Sequence, residues 1–359
     1  MPLKIMLITG SYPPMKCGVG AYTRRLVMAL AELSDVRITV LTDERASGVA
    51  DQEGVEVLPV IRGWRITELV RIAKHVQQSN PDIVHIQYPT QGYSGRTPIL
   101  LPLLMRLLGK PCVQTWHEPM PRRVGLLLAI GLDVLIAVRE QLISSLPKLI
   151  QKILRMTRVV WIPAASLLPT VVLNDEERLK IWHQYVSGNE ILLSFYGFVA
   201  PLKGIEMLFE VVARTNARLL MVCDIREDDY YHKSLLDKIT VMGIQSRVNI
   251  MGFLPDEQLA TILAASDAVV FPFRDGAGAW NTSIDGAIAQ GVFVLTTSYT
   301  VNGYNKEKNI YFVKPSAVEE MIAAIQRYAG YRIRPKPSML EWQNIAEQHI
   351  GIYRKLICK

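Results

Sequence analysis

Two loops of small residues, a lysine beside a glycine and a histidine at the end of an apolar run are the parts of this sequence with chemistry to offer. The first loop, Gly10-Ser11-Tyr12-Pro13-Pro14-Met15-Lys16-Cys17-Gly18-Val19-Gly20, joins an apolar run to an amphipathic one. Gly18 and Gly20 let a backbone approach an anion, and the N-terminus of the helix that follows supplies amide donors and a favourable dipole. The second loop runs from Phe271 to Asp285. Gly276, Gly278, the hydroxyls of Thr282 and Ser283 and the next helix's amides make a second cradle, while Asp275 or Asp285 would accept from sugar hydroxyls. Lys203-Gly204 stands near a helix start, where a cation opposes the dipole unless an anion is bound beside it. His117, followed by Glu118 and Pro119, ends the run Cys112–Trp116, and imidazole suits hydrogen bonding and proton movement near neutrality. Each feature alone reads equally as a plain turn, a surface lysine or a structural histidine. Two cradles and a lysine together imply a phosphate-bearing ligand. Neither loop is Gly-x-Gly-x-x-Gly, no Gly-Lys-Ser/Thr occurs, and no His, Cys, Asp or Glu cluster has metal-ligand spacing.

The elements that must hold these residues follow a repeating rhythm. Short runs that are apolar on both faces, such as Lys4 to Thr9, Val36 to Leu41, Asp82 to Ile86, Cys112 to Trp116 and Val134 to Val138, alternate with amphipathic stretches such as Gly20 to Leu33. Strands apolar on both faces belong to parallel sheets covered by helices on both sides. The rhythm restarts with Ile191 to Tyr196, then Arg218 to Cys223, Val248 to Met251, Ala268 to Phe273 and Val292 to Thr296, with helices predicted at Lys203 to Ala213, Asp256 to Ala265 and Thr282 to Ala289. The expected fold is α/β, with two doubly wound domains at 1–164 and 190–339, a linker at 165–189, and an amphipathic helix over 340–359 that packs on either domain. Open α/β sheets bind ligands outside the carboxyl ends of their strands, so two such domains facing each other would share one cleft. His85, inside Asp82-Ile83-Val84-His85-Ile86-Gln87, reads as a core residue.

A chain of 359 residues, half of them hydrophobic and a fifth charged, is too long for one core and too apolar to be disordered. Its four cysteines lie far apart, which suggests neither a disulfide framework nor a zinc site and makes the cytoplasm the expected location. The N-terminal apolar run is too short for a signal peptide, and no apolar stretch reaches the ~20 residues needed to span a bilayer. Residues 1–165 carry 20 Lys/Arg against 12 Asp/Glu, and the remainder 20 against 21, so the basic excess lies in the first half. Within it, residues 141–161 place Lys148, Lys152 and Arg155 along one predicted helical face beside Leu149, Ile150, Ile153 and Leu154. Such a helix lies peripherally on anionic lipid or packs its apolar side on the domain. No basic helix with interleaved aromatics points to nucleic acid.

These residues together resemble the family 4 glycosyltransferases. Pro13-Pro14 with Gly18-Val19-Gly20-Ala21-Tyr22, Pro81-Asp82-Ile83-Val84-His85, His117-Glu118-Pro119, Lys203-Gly204, Gly252-Phe253-Leu254-Pro255 and Ala265-Ser266-Asp267-Ala268 occur in that family's order over nearly the whole chain. The resemblance implies the GT-B fold, two Rossmann-like domains facing a central cleft, and a retaining hexosyltransferase that needs neither metal nor cofactor. It would move a sugar from a UDP- or GDP-sugar to a glycan or lipid-linked acceptor, as in polysaccharide or glycoconjugate synthesis. It also implies that Gly18 and Gly20 lie near diphosphate and acceptor, that His117 sits beside the transferred sugar, that Lys203 pairs with the diphosphate, and that the last helix crosses back to the first domain. Phe198 stands where the family pattern has an arginine, with Arg274 a substitute for its charge. Asp275 and Asp285 stand in place of two glutamates, and Gly286 occupies the position of the second. The other readings are a GT-B nucleotide-sugar epimerase or phosphorylase, and a non-catalytic sugar-nucleotide-binding scaffold.

Overall fold

The computed structural model describes residues 2–33, 35–48, 54–95, 97–118, 130–139, 158–278, 281–336 and 339–358, together with Leu142, Lys148 and Gln151. The chain divides into two compact units, one of Met1–Ala164 with Leu340–Lys359 and one of Ala165–Met339.

In the first unit β1 (Leu3–Ile8), β2 (Val36–Asp43), β3 (Val55–Ile61), β4 (Ile83–Tyr88), β5 (Cys112–Trp116), β6 (Val134–Ala137) and β7 (Arg158–Trp161) form one parallel sheet in the order β3-β2-β1-β4-β5-β6-β7. The strand order turns back between β1 and β4, so the loops after these strands open at the sheet's switch point. Helix α1 (Gly18–Ala31) buries Tyr22, Leu26, Val27 and Leu30, and α2 (Glu68–Ser79) buries Ile72 and Val76 before Asn80 ends it in the left-handed region, φ 41°. Helix α3 (Leu101–Leu107) adds Leu101 and Met105 to the core. Residues 158–161, expected at the end of a basic helix, are instead β7, where Val159 and Val160 suit a strand paired with β6. Apart from Leu142, Lys148 and Gln151, the rest of 141–161 lies outside the described residues.

In the second unit β8 (Ile191–Tyr196), β9 (Ala217–Val222), β10 (Val248–Ile250), β11 (Ala268–Phe271), β12 (Phe293–Thr297), β13 (Gly303–Asn305) and β14 (Ile310–Val313) make a sheet in the order β10-β9-β8-β11-β12-β14-β13. All neighbours are parallel except β13, which closes the edge as an antiparallel partner of β14. Its switch point lies between β8 and β11. Among the described residues its helices are α4 (Asp175–Trp182), α5 (Glu206–Arg214), α6 (Tyr230–Val241), α7 (Asp256–Ala265), α8 (Thr282–Ala289) and α9 (Val318–Tyr328). Residues 165–189, expected as a linker, group with this unit: Leu168 is in its core, and the Trp182 indole donates to Asp267 Oδ2 at 2.7 Å. A capping box between Asn174 and Glu177 starts α4.

The last helix, α10 (Met339–Ile357), belongs to the first unit and buries Trp342, Ile345, His349 and Tyr353 there. No helix among the described residues is long and apolar enough to cross a membrane.

Candidate functional site

The first unit's candidate residues gather at the carboxyl ends of β1, β4 and β5. Loops after β1 and β4 touch so closely that only glycine fits: a Cβ on Gly92 would lie 1.6 Å from Gly10 O, and one on Gly10 2.3 Å from Thr90 Oγ1. The Gly92 N–H donates to Ser11 Oγ at 2.8 Å, which ties the two loops together. Gly20, at the start of α1, packs 3.1 Å (Cβ position) from Ser11 O, whereas Gly18 faces open space. One turn on, Tyr22 is buried edge-on against His117, ring centroids 4.8 Å apart.

His117 leaves the end of β5 with its N–H donated to Tyr88 O at 2.9 Å and its Nε2 2.7 Å from Gln87 Oε1. Burial, and secondarily the Arg139 charge, push its imidazole down to about 3. The ring is therefore neutral at physiological pH, a hydrogen-bonding group rather than an acid. His85, on the same strand face as Gln87, is fully buried as expected, and burial holds it well below the usual histidine range. It joins Thr115 Oγ1 at 2.7 Å and the Tyr353 hydroxyl of α10 at 2.6 Å.

The second unit's candidates flank its own switch point. Lys203 lies in a single 3₁₀ turn, Pro201–Lys203, one turn before α5. Gly204 follows with φ 65°, and a Cβ there would meet Pro272 O at 2.2 Å, so the loops after β8 and β11 also pack directly on each other. Arg274 N–H donates to Leu202 O at 3.0 Å. The Lys203 ammonium sits 4.6 Å from the Phe273 ring centroid, and burial lowers its affinity for the proton. Arg274, expected as a second phosphate cation, spends its guanidinium on Glu206, whose carboxylate also accepts from the Tyr231 hydroxyl at 3.0 Å.

The loop before α8 differs from the expected cradle. Amides of Gly276, Ala277 and Gly278 donate inside the fold, to Phe273 O, Thr297 O and Asn281 Oδ1. They hold the loop in shape, and because Asn281 makes no side-chain cap to α8, the amides of its first turn at Thr282 and Ser283 are the donors left for an anion. Asp285 is on the first turn of α8 and close enough to raise the Tyr196 phenol, which burial lifts most. Gly286 is dictated by packing: a Cβ would fall 2.3 Å from Tyr196 Oη, which donates to Ser283 O at 2.6 Å. The space a side chain would take at position 286 is thus held by the Tyr196 hydroxyl. Asp275 lies in the turn after Arg274. Phe198, half-exposed, packs edge-on against Phe253 at 5.8 Å. Sequence reasoning missed Gln87, Glu206 and Tyr196, of which only Gln87 carried a signal, being a second polar residue two positions from His85 in an apolar strand. Among the described residues no three His, Cys, Asp or Glu converge in a metal-binding group.

Known proteins place these observations. Residues 17–166 match the Glycosyl transferase 4-like domain, and residues 190–330 match Glycosyl transferases group 1. None of the curated proteins matches the chain. Among solved structures, sucrose-phosphate synthase from Thermosynechococcus elongatus is similar over 99% of both chains, at 18% identity and TM-score 0.70. HepE from Anabaena, solved in complex with UDP and glucose, is similar over 99% of this chain and 98% of its own, at 16% identity and TM-score 0.66. The catalytic domain of starch synthase IV from Arabidopsis thaliana, bound to ADP and acarbose, matches over 100% of both at 11% identity and TM-score 0.68. At these identities the structural likeness speaks for the fold, and the two domain matches speak for the family. The chain belongs to the glycosyltransferases of the GT-B fold.

Proposed function

We propose that this glycosyltransferase is a retaining hexosyltransferase that takes a sugar from a UDP- or GDP-sugar and delivers it to a hydroxyl of a glycan or lipid-linked acceptor, without a metal. The observation that carries the reading is Lys203: a partly desolvated ammonium, held against Phe273 by two loops packed at the switch point of the second sheet, where the loop after the neighbouring strand β11 leads into the uncapped first turn of α8. A partly buried cation and free helix amides after adjacent strands of one sheet suit a diphosphate, and negative charge grows on that diphosphate as the sugar leaves. Complexes of HepE with UDP and with UDP-glucose support a nucleotide-sugar donor.

In this reading Lys203 and the amides of Thr282 and Ser283 stabilise the departing diphosphate, while Arg274, neutralised by Glu206, contributes less. Gly18 and Gly20 let ligand approach the start of α1. His117 hydrogen-bonds the transferred sugar, and Asp285 or Asp275 accepts from donor hydroxyls. Retention follows from front-face attack, the leaving phosphate taking the acceptor proton, so no side-chain nucleophile is required. The cations Lys148, Lys152 and Arg155 would bring the chain peripherally onto an anionic membrane that carries a lipid-linked acceptor. The test is a panel of UDP- and GDP-sugars scored for nucleotide release with and without acceptor, in excess EDTA, alongside vesicle co-sedimentation. Acceptor-dependent release that survives chelation supports the reading. Conversion of donor alone to an epimer, or loss of nucleotide binding on chelation restored by magnesium, overturns it.

A further inference from the structure

Four buried polar side chains occupy one face of β4 and β5, where apolar residues would be cheaper to bury. His85 and Gln87 alternate along β4, Thr115 lies on β5 and His117 directly after its end, and all four are at most 9% exposed. Their hydrogen bonds have a direction. An amide oxygen can only accept, so the 2.7 Å contact of Gln87 Oε1 with His117 Nε2 requires the proton on Nε2 of His117. The Gln87 amide nitrogen, 3.3 Å from His85 Nε2, donates there, and Thr115 Oγ1 donates to the same nitrogen at 2.7 Å. His85 then carries its own proton on Nδ1 and gives it to the Tyr353 oxygen at 2.6 Å. Each group sets the role of the next, and the amide of Gln87 is the link that sets His117. Turned over, it would offer an N–H to His117 and oblige the opposite tautomer.

We propose that Gln87 is a positioning residue for the transfer reaction: by accepting the Nε2–H of His117 it holds the ring in that tautomer and leaves Nδ1 as an acceptor for a hydroxyl of the transferred sugar. This rests on the role given to His117 under the proposed function. A neutral ring of the other tautomer would present an N–H in place of a lone pair and lose the hydrogen bond with a sugar hydroxyl acting as donor. Neither residue needs to change protonation state during transfer.

The full-length protein labelled with ¹⁵N-histidine tests this by two-bond ¹H–¹⁵N correlation at pH 7, the His117 signals being those lost in His117→Gln. The wild type is expected to show a protonated Nε2 and an unprotonated Nδ1. In Gln87→Met, chosen for its similar length, and in Gln87→Leu, the ring is expected to become a tautomer mixture. kcat should fall at least tenfold, while the Kd for UDP or GDP changes less than twofold. A wild-type His117 protonated on Nδ1 overturns the proposal whatever the activity. So does a folded Gln87→Met protein with an unaltered tautomer and wild-type kcat. If His117→Ala transfers sugar at the full rate, the role of His117 at the sugar fails, and that result is distinct because the tautomer is read without substrate.

Discussion

The Tyr353 hydroxyl lies 2.6 Å from Nδ1 of His85, joining the last helix to an inner strand of the first sheet across 268 positions of sequence. Removing that oxygen by Tyr353→Phe leaves a buried imidazole N–H unpaired, and an unsatisfied buried polar group costs about 1–3 kcal/mol. A matching drop in urea-unfolding free energy is the expected outcome. An unchanged midpoint and slope would show that the hydroxyl is not holding α10 to the sheet.

Three buried histidines on this side of the sheet make the protein acid-sensitive. Burial brings His117 down to about 3 and His349 down to about 4, and it also holds His85 well below the usual range. Between pH ~6.5 and those values the unfolded chain binds protons that the folded one refuses. Stability is therefore complete above pH ~6.5 and is lost as pH falls, at about 1.4 kcal/mol per unit for each histidine. Urea-unfolding free energies at pH 7.5 and 5.5 should differ by up to about 3 kcal/mol for His117 and His349 together, with His85 acting in the same direction. His349→Leu should make the dependence shallower, and an unaltered pH dependence in that variant would argue that His349 is not buried in its neutral form.

Lys203 and Arg274 should behave differently although both are cations beside one switch point. Lys203→Ala removes a charge-assisted contact, worth ~1.5–3 kcal/mol, and should weaken UDP or GDP binding about tenfold or more in calorimetry. Arg274→Ala should weaken it less, since the guanidinium is engaged by Glu206. Glu206→Gln should tighten nucleotide binding by freeing Arg274. Equal losses for the two alanine variants would contradict the Arg274–Glu206 pairing as the reason for the difference.

Gly286→Ala tests whether the Tyr196 hydroxyl excludes a side chain at position 286. The new methyl would meet Tyr196 Oη at 2.3 Å and break its bond to Ser283 O. Overpacking of this size costs about 1–3 kcal/mol. Tm should fall, and Tyr196→Phe in the same chain should recover part of the loss. A variant as stable as the wild type would mean that the tyrosine yields freely.

Most of the strand framework could be read from the chain because parallel strands buried on both faces are nearly continuous apolar runs. Cys112–Trp116, Ile191–Tyr196, Asp256–Ala265 and Thr282–Ala289 appear with the expected bounds. β3 escaped because Pro59 interrupts Val55–Ile61, which is tolerable only because that strand is at the sheet edge. α4 escaped because its polar turns hide a single anchoring residue, Trp182. At the site, the loops were legible but not the use of their amides, since whether Gly276 or Gly278 donates inward depends on Phe273 and Asn281 in three dimensions. Glu206 as partner of Arg274, 68 positions away, has no local signal at all.

The grouping of 340–359 with the first unit bears on how the protein is made. On a ribosome adding ~5–20 residues per second, the sheet that ends at Trp161 emerges roughly 10–40 s before the helix that covers it. Meanwhile the contiguous stretch Ala165–Met339 has everything it needs to fold on its own schedule. During that interval Tyr22 and His85 lack the cover of Trp342 and Tyr353. A nascent chain stalled short of Leu340 should therefore recruit chaperones through its first unit and not through its second.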